Sequence, residues 1–369
     1  MKVLLKGEMI VDSDYTIGQG FVGIDGGQVS YVGQDQPEAF DDVELFVGGE
    51  GRVIHPGLAA LGVYPVFFPF RYRVPTGKVN VNEVIRSMSR SDAYYFSLLA
   101  GYRLMKKGVT TVLINGPFLD QAGRAMKSLG LRVVVLAHIG CDREEWGTYG
   151  SLRERWGSEG TSLAIDVCGR ESLKEALELA EAGGHTIFVE RWVDLSGLKR
   201  GGRRVVAMGG GFRCDLDSVK SHGLGLTFVP SYEVYKFSLG EMRPSISLES
   251  SPQMSVIHEA GVAVSRYLLK ADEAFSSITR WPHEQLGIQG GSLEVGKLGD
   301  AVVLNFHDSL TYPIDPLASR EMVIFSEAEA ETVVVGGEVV LDGGIPISGD
   351  PADLEKAESK IREFGRASG

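Results

Sequence analysis

Short apolar runs separated by glycine-rich turns open this chain. Val3-Leu4-Leu5 precedes Gly7, Phe21-Val22-Gly23-Ile24 precedes Asp25-Gly26-Gly27, and Val29-Ser30-Tyr31-Val32 precedes Gly33. An Asp-Gly-Gly between two such runs predicts a hairpin, and residues 1–54 read as a small antiparallel sheet. The rhythm then changes. Residues 53–64, Val-Ile-His-Pro-Gly-Leu-Ala-Ala-Leu-Gly-Val-Tyr, read as a turn feeding one buried strand. Tyr95, Leu98, Leu99, Tyr102 and Met105 recur at spacings of three and four, which predicts a helix over 87–107. Continuous apolar strands are expected at 109–114, 131–136, 163–167, 186–189, 205–208 and 224–229. Helices are expected at 121–129 and 172–182, each stopped by glycine.

Short, wholly apolar strands alternating with helices imply parallel βα units. Six or more of them between about 55 and 290 fit a closed barrel better than an open sheet. After Gly290 the opening style returns, with strands expected at 301–305, 332–335 and 338–341. The fold class expected is therefore α/β: a (β/α)8 barrel at 55–289, plus a composite β-sandwich built from 1–54 and 290–347. A charged helical tail is expected at 350–369.

Composition narrows the function classes. The 369 residues carry a net charge of −12, which argues against a nucleic-acid partner, because phosphate binding needs a concentrated basic surface. No apolar run approaches the ~20 residues of a membrane helix, and no leader peptide is visible, so a cytoplasmic protein is expected. Three widely spaced cysteines form no Cys-x-x-Cys pair and suggest neither a zinc knuckle nor a disulfide framework. Gly209-Gly210-Gly211 follows a strand but lacks a third glycine at dinucleotide-site spacing.

Several patterns, in order, resemble the amidohydrolase superfamily, most closely its aminohydrolase and chlorohydrolase branch. They are His55-Pro56-Gly57-Leu58, Gly108-Val109-Thr110-Thr111-Val112, the segment Ile278 to Gly287, and Gly291-Ser292-Leu293-Glu294-Val295-Gly296-Lys297 followed by Gly299-Asp300-Ala301-Val302-Val303-Leu304. The resemblance implies a metal-dependent hydrolase using zinc or iron. Its ligands would be His-x-His at the end of the first barrel strand, histidines on the fifth and sixth, and an aspartate on the eighth.

At those places this chain has Gly62 and Tyr64, the apolar Ile187-Phe188, Met208, and Glu249-Ser250. None but the carboxylate of Glu249 suits a hard cation or zinc. The expectation is a protein without a metal cofactor, its ligand positions absent. The remaining candidates are Glu190, Glu249 and His138 for proton transfer and Tyr64, Met208 and Ser250 for substrate contact. Asp142 and Arg143 would add polarity to the rim, and Arg191 or Arg213 would pair with Glu190. For each of the carboxylates an ordinary structural ion pair or exposed loop charge competes with a functional role, and for His138 a strand-end hydrogen bond does. Tyr64, Phe67, Phe68, Phe70, Tyr72, Tyr232, Tyr235 and Phe237 would fill or line the mouth, or form a subunit contact.

Two functions stay open on this reading. One is a non-catalytic relative that binds a small molecule or partners an active paralogue, as a homodimer or mixed dimer. The other is a hydrolase of non-peptide C–N bonds working through an atypical or metal-independent site. The absent ligands favour the first.

Overall fold

The computed structural model describes residues 1–369 except 141–144, 158–161, 170, 191, 192, 194, 196, 197, 199–203, 209–215, 237, 308–311, 327, 368 and 369. Asp142, Arg143, Arg191, Arg213, Phe237 and Gly209 to Gly211, all singled out above, lie outside the described residues.

Eight parallel strands follow one another around the barrel: β1 (Leu58–Val63), β2 (Val109–Ile114), β3 (Arg132–Ile139), β4 (Leu163–Val167), β5 (Ile187–Val189), β6 (Val205–Met208), β7 (Gly225–Phe228) and β8 (Ser245–Ile246). β2, β4, β5, β6 and β7 are buried at every position, as strands covered by helices outside and side chains inside must be. Leu61 bridges to Ser247, and the Leu248 amide donates to the Leu61 carbonyl at 2.8 Å, which brings β8 back to β1. Inside, Leu61, Leu113, Leu136, Ala164, Phe188 and Met208 belong to one apolar cluster. The barrel is thus plugged, and chemistry is confined to its ends.

A nine-stranded outer sheet uses both ends of the chain. Its central strand, Leu45–Pro56, runs parallel to Val3–Val11 on one side and antiparallel to Ala301–Asn305 on the other. The single strand expected over 53–64 is in fact two, one in each sheet. Gly57 separates them, and a Cβ there would stand 2.2 Å from the Thr110 hydroxyl, so only glycine lets the chain pass so close to β2. His55 therefore belongs to the outer sheet. It is fully buried, its Nδ1 donates to the Pro56 carbonyl at 2.7 Å, and its ring meets Phe275 edge-on. Burial pushes its pKa down to about 4.

The helix expected over 87–107 begins later, at Arg90, and ends at Lys106. Ser89 interrupts it: its hydroxyl accepts from the Asp92 amide at 3.1 Å while its own amide donates to the Asp92 carboxylate at 3.0 Å, a capping box that starts a new helix. The preceding turn, Val81–Ser87, is a separate helix. No helix among the described residues is long and apolar enough to cross a membrane.

The N-terminal end of the barrel is tied to the outer sheet. Asp300, buried, accepts from both terminal nitrogens of Arg132 and from the Gly336 amide at 2.7 Å. Beside it the Thr111 hydroxyl meets His283 Nε2 at 3.1 Å. These bonds fasten β2 and β3 to the turn that re-enters the sandwich.

Candidate active site

Side chains alternate along a strand, so the inward positions above the apolar plug face the barrel's C-terminal mouth. On β3 the plug residues Val134 and Leu136 are followed by His138, and on β4 Ala164 is followed by Asp166. His138 and Asp166 are directly paired in the β3–β4 register. Two residues further along, past the end of β4, stands Cys168. His138 Nδ1 lies 2.9 Å from Asp166 Oδ2 and 3.7 Å from Cys168 Sγ, and all three side chains are buried. The Trp146 ring packs edge-on against the His138 ring, their centroids 4.7 Å apart.

Asp166 is fully buried, yet neither carboxylate oxygen accepts a hydrogen bond. His138 Nδ1 comes within 2.9 Å of Asp166 Oδ2 without forming a hydrogen bond to it. A buried carboxylate without donors is costly unless a cation compensates it. The donor atoms of His138, Asp166 and Cys168 all fall within 4.8 Å of one another. A tetrahedral ion with zinc-type bond lengths holds its ligand atoms roughly 3.3–3.6 Å apart; His138 Nδ1 stands 2.9 Å from Asp166 Oδ2 and 3.7 Å from Cys168 Sγ. The cluster is an incomplete metal site: three groups bring ligand atoms into range, but Cys168 is disulfide-bonded.

This overturns the expectation that the chain has no cofactor because its ligand positions are absent. The expectation rested on Gly62, Tyr64, Met208 and Ser250 standing at ligand places, but a partial cluster of other residues is present on neighbouring strands. Asp166 and Cys168 escaped notice because each sits in a stretch that is otherwise apolar or small. The signal that could have found them is the alternation of Ala164, Asp166 and Cys168, set beside the His138 that ends the adjacent strand.

On the opposite side of the mouth a cavity of about 230 Å³ lies between the segment after β1 and the segment after β8. Tyr64, Phe67, Arg71, Trp146, Glu249 and Ser250 are among its walls. The Tyr64 hydroxyl donates to Glu249 Oε1 at 3.2 Å and accepts from Asn115 Nδ2 at 3.1 Å. The Tyr64 ring also meets Trp146 edge-on at 5.9 Å, so Trp146 separates the cavity from the His138 cluster. Ser250 has a positive φ of 62° and serves the turn that aims Glu249.

Glu233, which sequence reasoning missed, is buried in the loop after β7. Burial pushes its pKa up to about 7, and the charge of Glu249 adds to the rise, while hydrogen bonds from Tyr235 and from the Val229 amide partly offset it. Glu233 lies in a loop, so no sequence periodicity signals its burial.

The other candidates are dispersed. Met208 is buried in the barrel plug and is not among the residues lining the cavity. Glu190 follows β5, half-buried, and its amide donates to the Val167 carbonyl at 3.2 Å. Among the aromatic residues, Phe70 is fully buried in the main core, whereas Tyr72 and Tyr232 are exposed.

No family model matches the chain. A 114-residue stretch is 28% identical to the 5'-deoxyadenosine deaminase of Methanocaldococcus jannaschii, which is 31% of this chain and spans only about a quarter (27%) of that enzyme. An adenosine deaminase from Xanthomonas campestris with bound zinc superposes with a TM-score of 0.80 at 16% identity, covering 99% of this chain and 98% of that one. A mutant atrazine chlorohydrolase from Arthrobacter aurescens, complexed with zinc and atraton, superposes with a TM-score of 0.79 at 16% identity, covering 97% and 100%. The fold is the one these metal-dependent hydrolases share.

Proposed function

We propose that the protein hydrolyses a non-peptide C–N bond of a small planar molecule bound at the barrel mouth. The observation that carries this reading is Glu249 on the cavity wall, held by Tyr64, with a charge that helps raise the pKa of buried Glu233 to about 7. A carboxyl group whose pKa is raised to about 7 can supply a proton near neutral pH, and Glu249 is the neighbouring base. Tyr64, Phe67 and Trp146 give the cavity flat aromatic walls suited to a heterocycle. Similarity to deaminases and to an atrazine chlorohydrolase supports the same substrate shape.

In this scheme Glu249 takes a proton from the attacking water as the new C–O bond forms. Protonated Glu233 supplies the proton that leaves with the amine as the C–N bond breaks. Tyr64 and Asn115 orient Glu249. His138, Asp166 and Cys168 are the groups that bring ligand atoms into range of a metal ion, an incomplete site while Cys168 is disulfide-bonded. A zinc-type ion there would supply a Lewis acid and lower the pKa of bound water.

A second reading, binding without turnover, is favoured by Gly62, Tyr64, Met208 and Ser250 at the family's ligand places. A panel of amino-substituted purines, pyrimidines and triazines, scored for ammonia release, separates the two. Release that is lost in Glu249→Gln supports the hydrolase. Saturable binding of a panel member with no release by protein loaded with zinc or iron overturns it in favour of the binder.

A further inference from the structure

Glu259, on the helix Val256–Ser265 that follows β8, carries a fully buried carboxylate that the scheme above does not use. It accepts three hydrogen bonds. Its Oε2 accepts from the Ser231 amide at 2.9 Å, and its Oε1 accepts from both the Ser231 hydroxyl at 2.8 Å and the Ser251 hydroxyl at 2.7 Å. Three donors satisfy a charge that would otherwise be costly at this depth. One oxygen atom thus joins the loop after β7 to the loop after β8. The two strands lie side by side in parallel register, and the Ser247 amide donates to the Phe228 carbonyl at 2.8 Å just past their last paired residues. Beyond that bond the loops carry Glu233 and Glu249.

Each serine sits two residues from one of these carboxylates, inside a tight turn. The Tyr232 and Glu233 amides both donate to the Val229 carbonyl at 3.0 Å, and the Val229 amide donates to Glu233 Oε1 at 2.8 Å, so Ser231 and Glu233 belong to one unit. The Ser251 amide donates to the Leu248 carbonyl at 3.0 Å and closes a turn around Glu249 and Ser250. Arg266, at the other end of the same helix, donates to the Pro230 carbonyl and holds the first turn a second time. We propose that Glu259 is a positioning residue: through Ser231 and Ser251 it sets how far Glu233 and Glu249 stand apart at the barrel mouth. This role rests on the proton transfer assigned to those two residues above, and it names the group that maintains their spacing. The spacing has chemical weight, since burial first and the like charge of Glu249 after it keep Glu233 protonated near neutral pH. Spreading the loops would admit water and weaken the repulsion, and both changes favour the ionised form of Glu233. Its proton would then be lost before it could serve a leaving amine.

The experiment reads the titration of Glu233 in the full chain. Urea unfolding is followed from about pH 4 to about pH 9 for wild type, Glu259→Gln, Ser231→Ala and Ser251→Ala, each beside the same protein carrying Glu233→Gln. The pH at which the members of a pair stop diverging marks the folded pKa of Glu233. The wild-type pair should level off at about 7, and the three variant pairs about one pH unit lower. For any amino-substituted heterocycle whose ammonia the wild type releases, the alkaline fall of kcat/KM should move down with the plateau, with kcat several-fold lower and KM nearly unchanged. Should Glu259→Gln fail to fold, the serine variants decide, because each removes one hydroxyl and keeps the buried charge. Lower stability with the Glu233 plateau still at about 7 in both serine variants makes Glu259 a structural residue and overturns the proposal. A shifted plateau without ammonia release keeps the positioning role and defeats the hydrolase reading, whereas release with an unshifted plateau does the opposite.

Discussion

The two ends of the barrel are built from the same strands and solve opposite problems. At the N-terminal end Asp300 faces the Arg132 guanidinium and a backbone amide, charge against counter-charge. At the C-terminal end buried Glu233 feels the like charge of Glu249, and Asp166 has an imidazole beside it without a hydrogen bond. The first arrangement lowers the energy of the folded chain. The second raises it, and persists because the well-packed barrel between them holds it in place. The difference teaches where to look for chemistry: at the end whose charges are not satisfied by the protein itself.

Parallel substitutions of two buried aspartates give the largest contrast. Asp300→Asn leaves Arg132 without its partner and is expected to cost about 3–5 kcal/mol in urea unfolding. Asp166→Asn removes a carboxylate that no donor satisfies. It should change stability by less than ~1 kcal/mol or raise it. Equal losses at both sites would make Asp166 a structural residue and erase the comparison.

The ends should also answer pH in opposite senses. His55, below the barrel, has a folded pKa of about 4 against an ordinary 6.5, so its neutral form is the folded one. Its contribution is present above 6.5 and lost as pH falls toward 4, up to about 3 kcal/mol. The unfolding midpoint of the protein should drop across that window, and His55→Asn should flatten the slope. Glu233 behaves in reverse. Its folded pKa of about 7 lies above the ordinary 4.5, so its contribution is present below 4.5 and lost as pH rises through 7. Glu233→Gln should therefore be more stable than wild type at pH 8, by about 2 kcal/mol. In the hydrolase reading it should also lose the fall in kcat/KM above pH 7. A variant with the wild-type pH profile removes Glu233 from proton transfer.

The smallest effect sharpens the mouth alone. Tyr64→Phe keeps the aromatic wall and removes one hydrogen bond to Glu249, expected to cost about 1 kcal/mol or less in stability. If Tyr64 orients Glu249, kcat should fall several-fold with KM nearly unchanged.

Much of the fold was legible because parallel strands announce themselves as short, wholly apolar runs. Val109–Ile114, Leu163–Val167 and Val205–Met208 match their expected bounds. The split at Gly57 was not legible, since two strands in different sheets share one apolar run when the turn between them needs only a single glycine. The site was harder for a related reason. Tyr64 and Glu249 could be placed at the mouth from their strand ends, but their hydrogen bond joins residues 185 apart in the chain. The resemblance implies ligands at the ends of the first, fifth, sixth and eighth strands, whereas Asp166 sits inside the apolar strand β4. Glu233 lies in a loop, where no periodicity says which way a side chain turns.

The position of the strand Leu45–Pro56 bears on how the protein is made. Its neighbour on one side, Val3–Val11, has left the ribosome before it, but its neighbour on the other, Ala301–Asn305, is synthesised almost 250 residues later. At ~5–20 residues per second that is a delay of some tens of seconds. Throughout it the nascent chain carries an open strand edge, the kind of surface that recruits a stray strand from another molecule. A chaperone that shields this edge should raise the yield of native protein more than one that acts only on the completed chain.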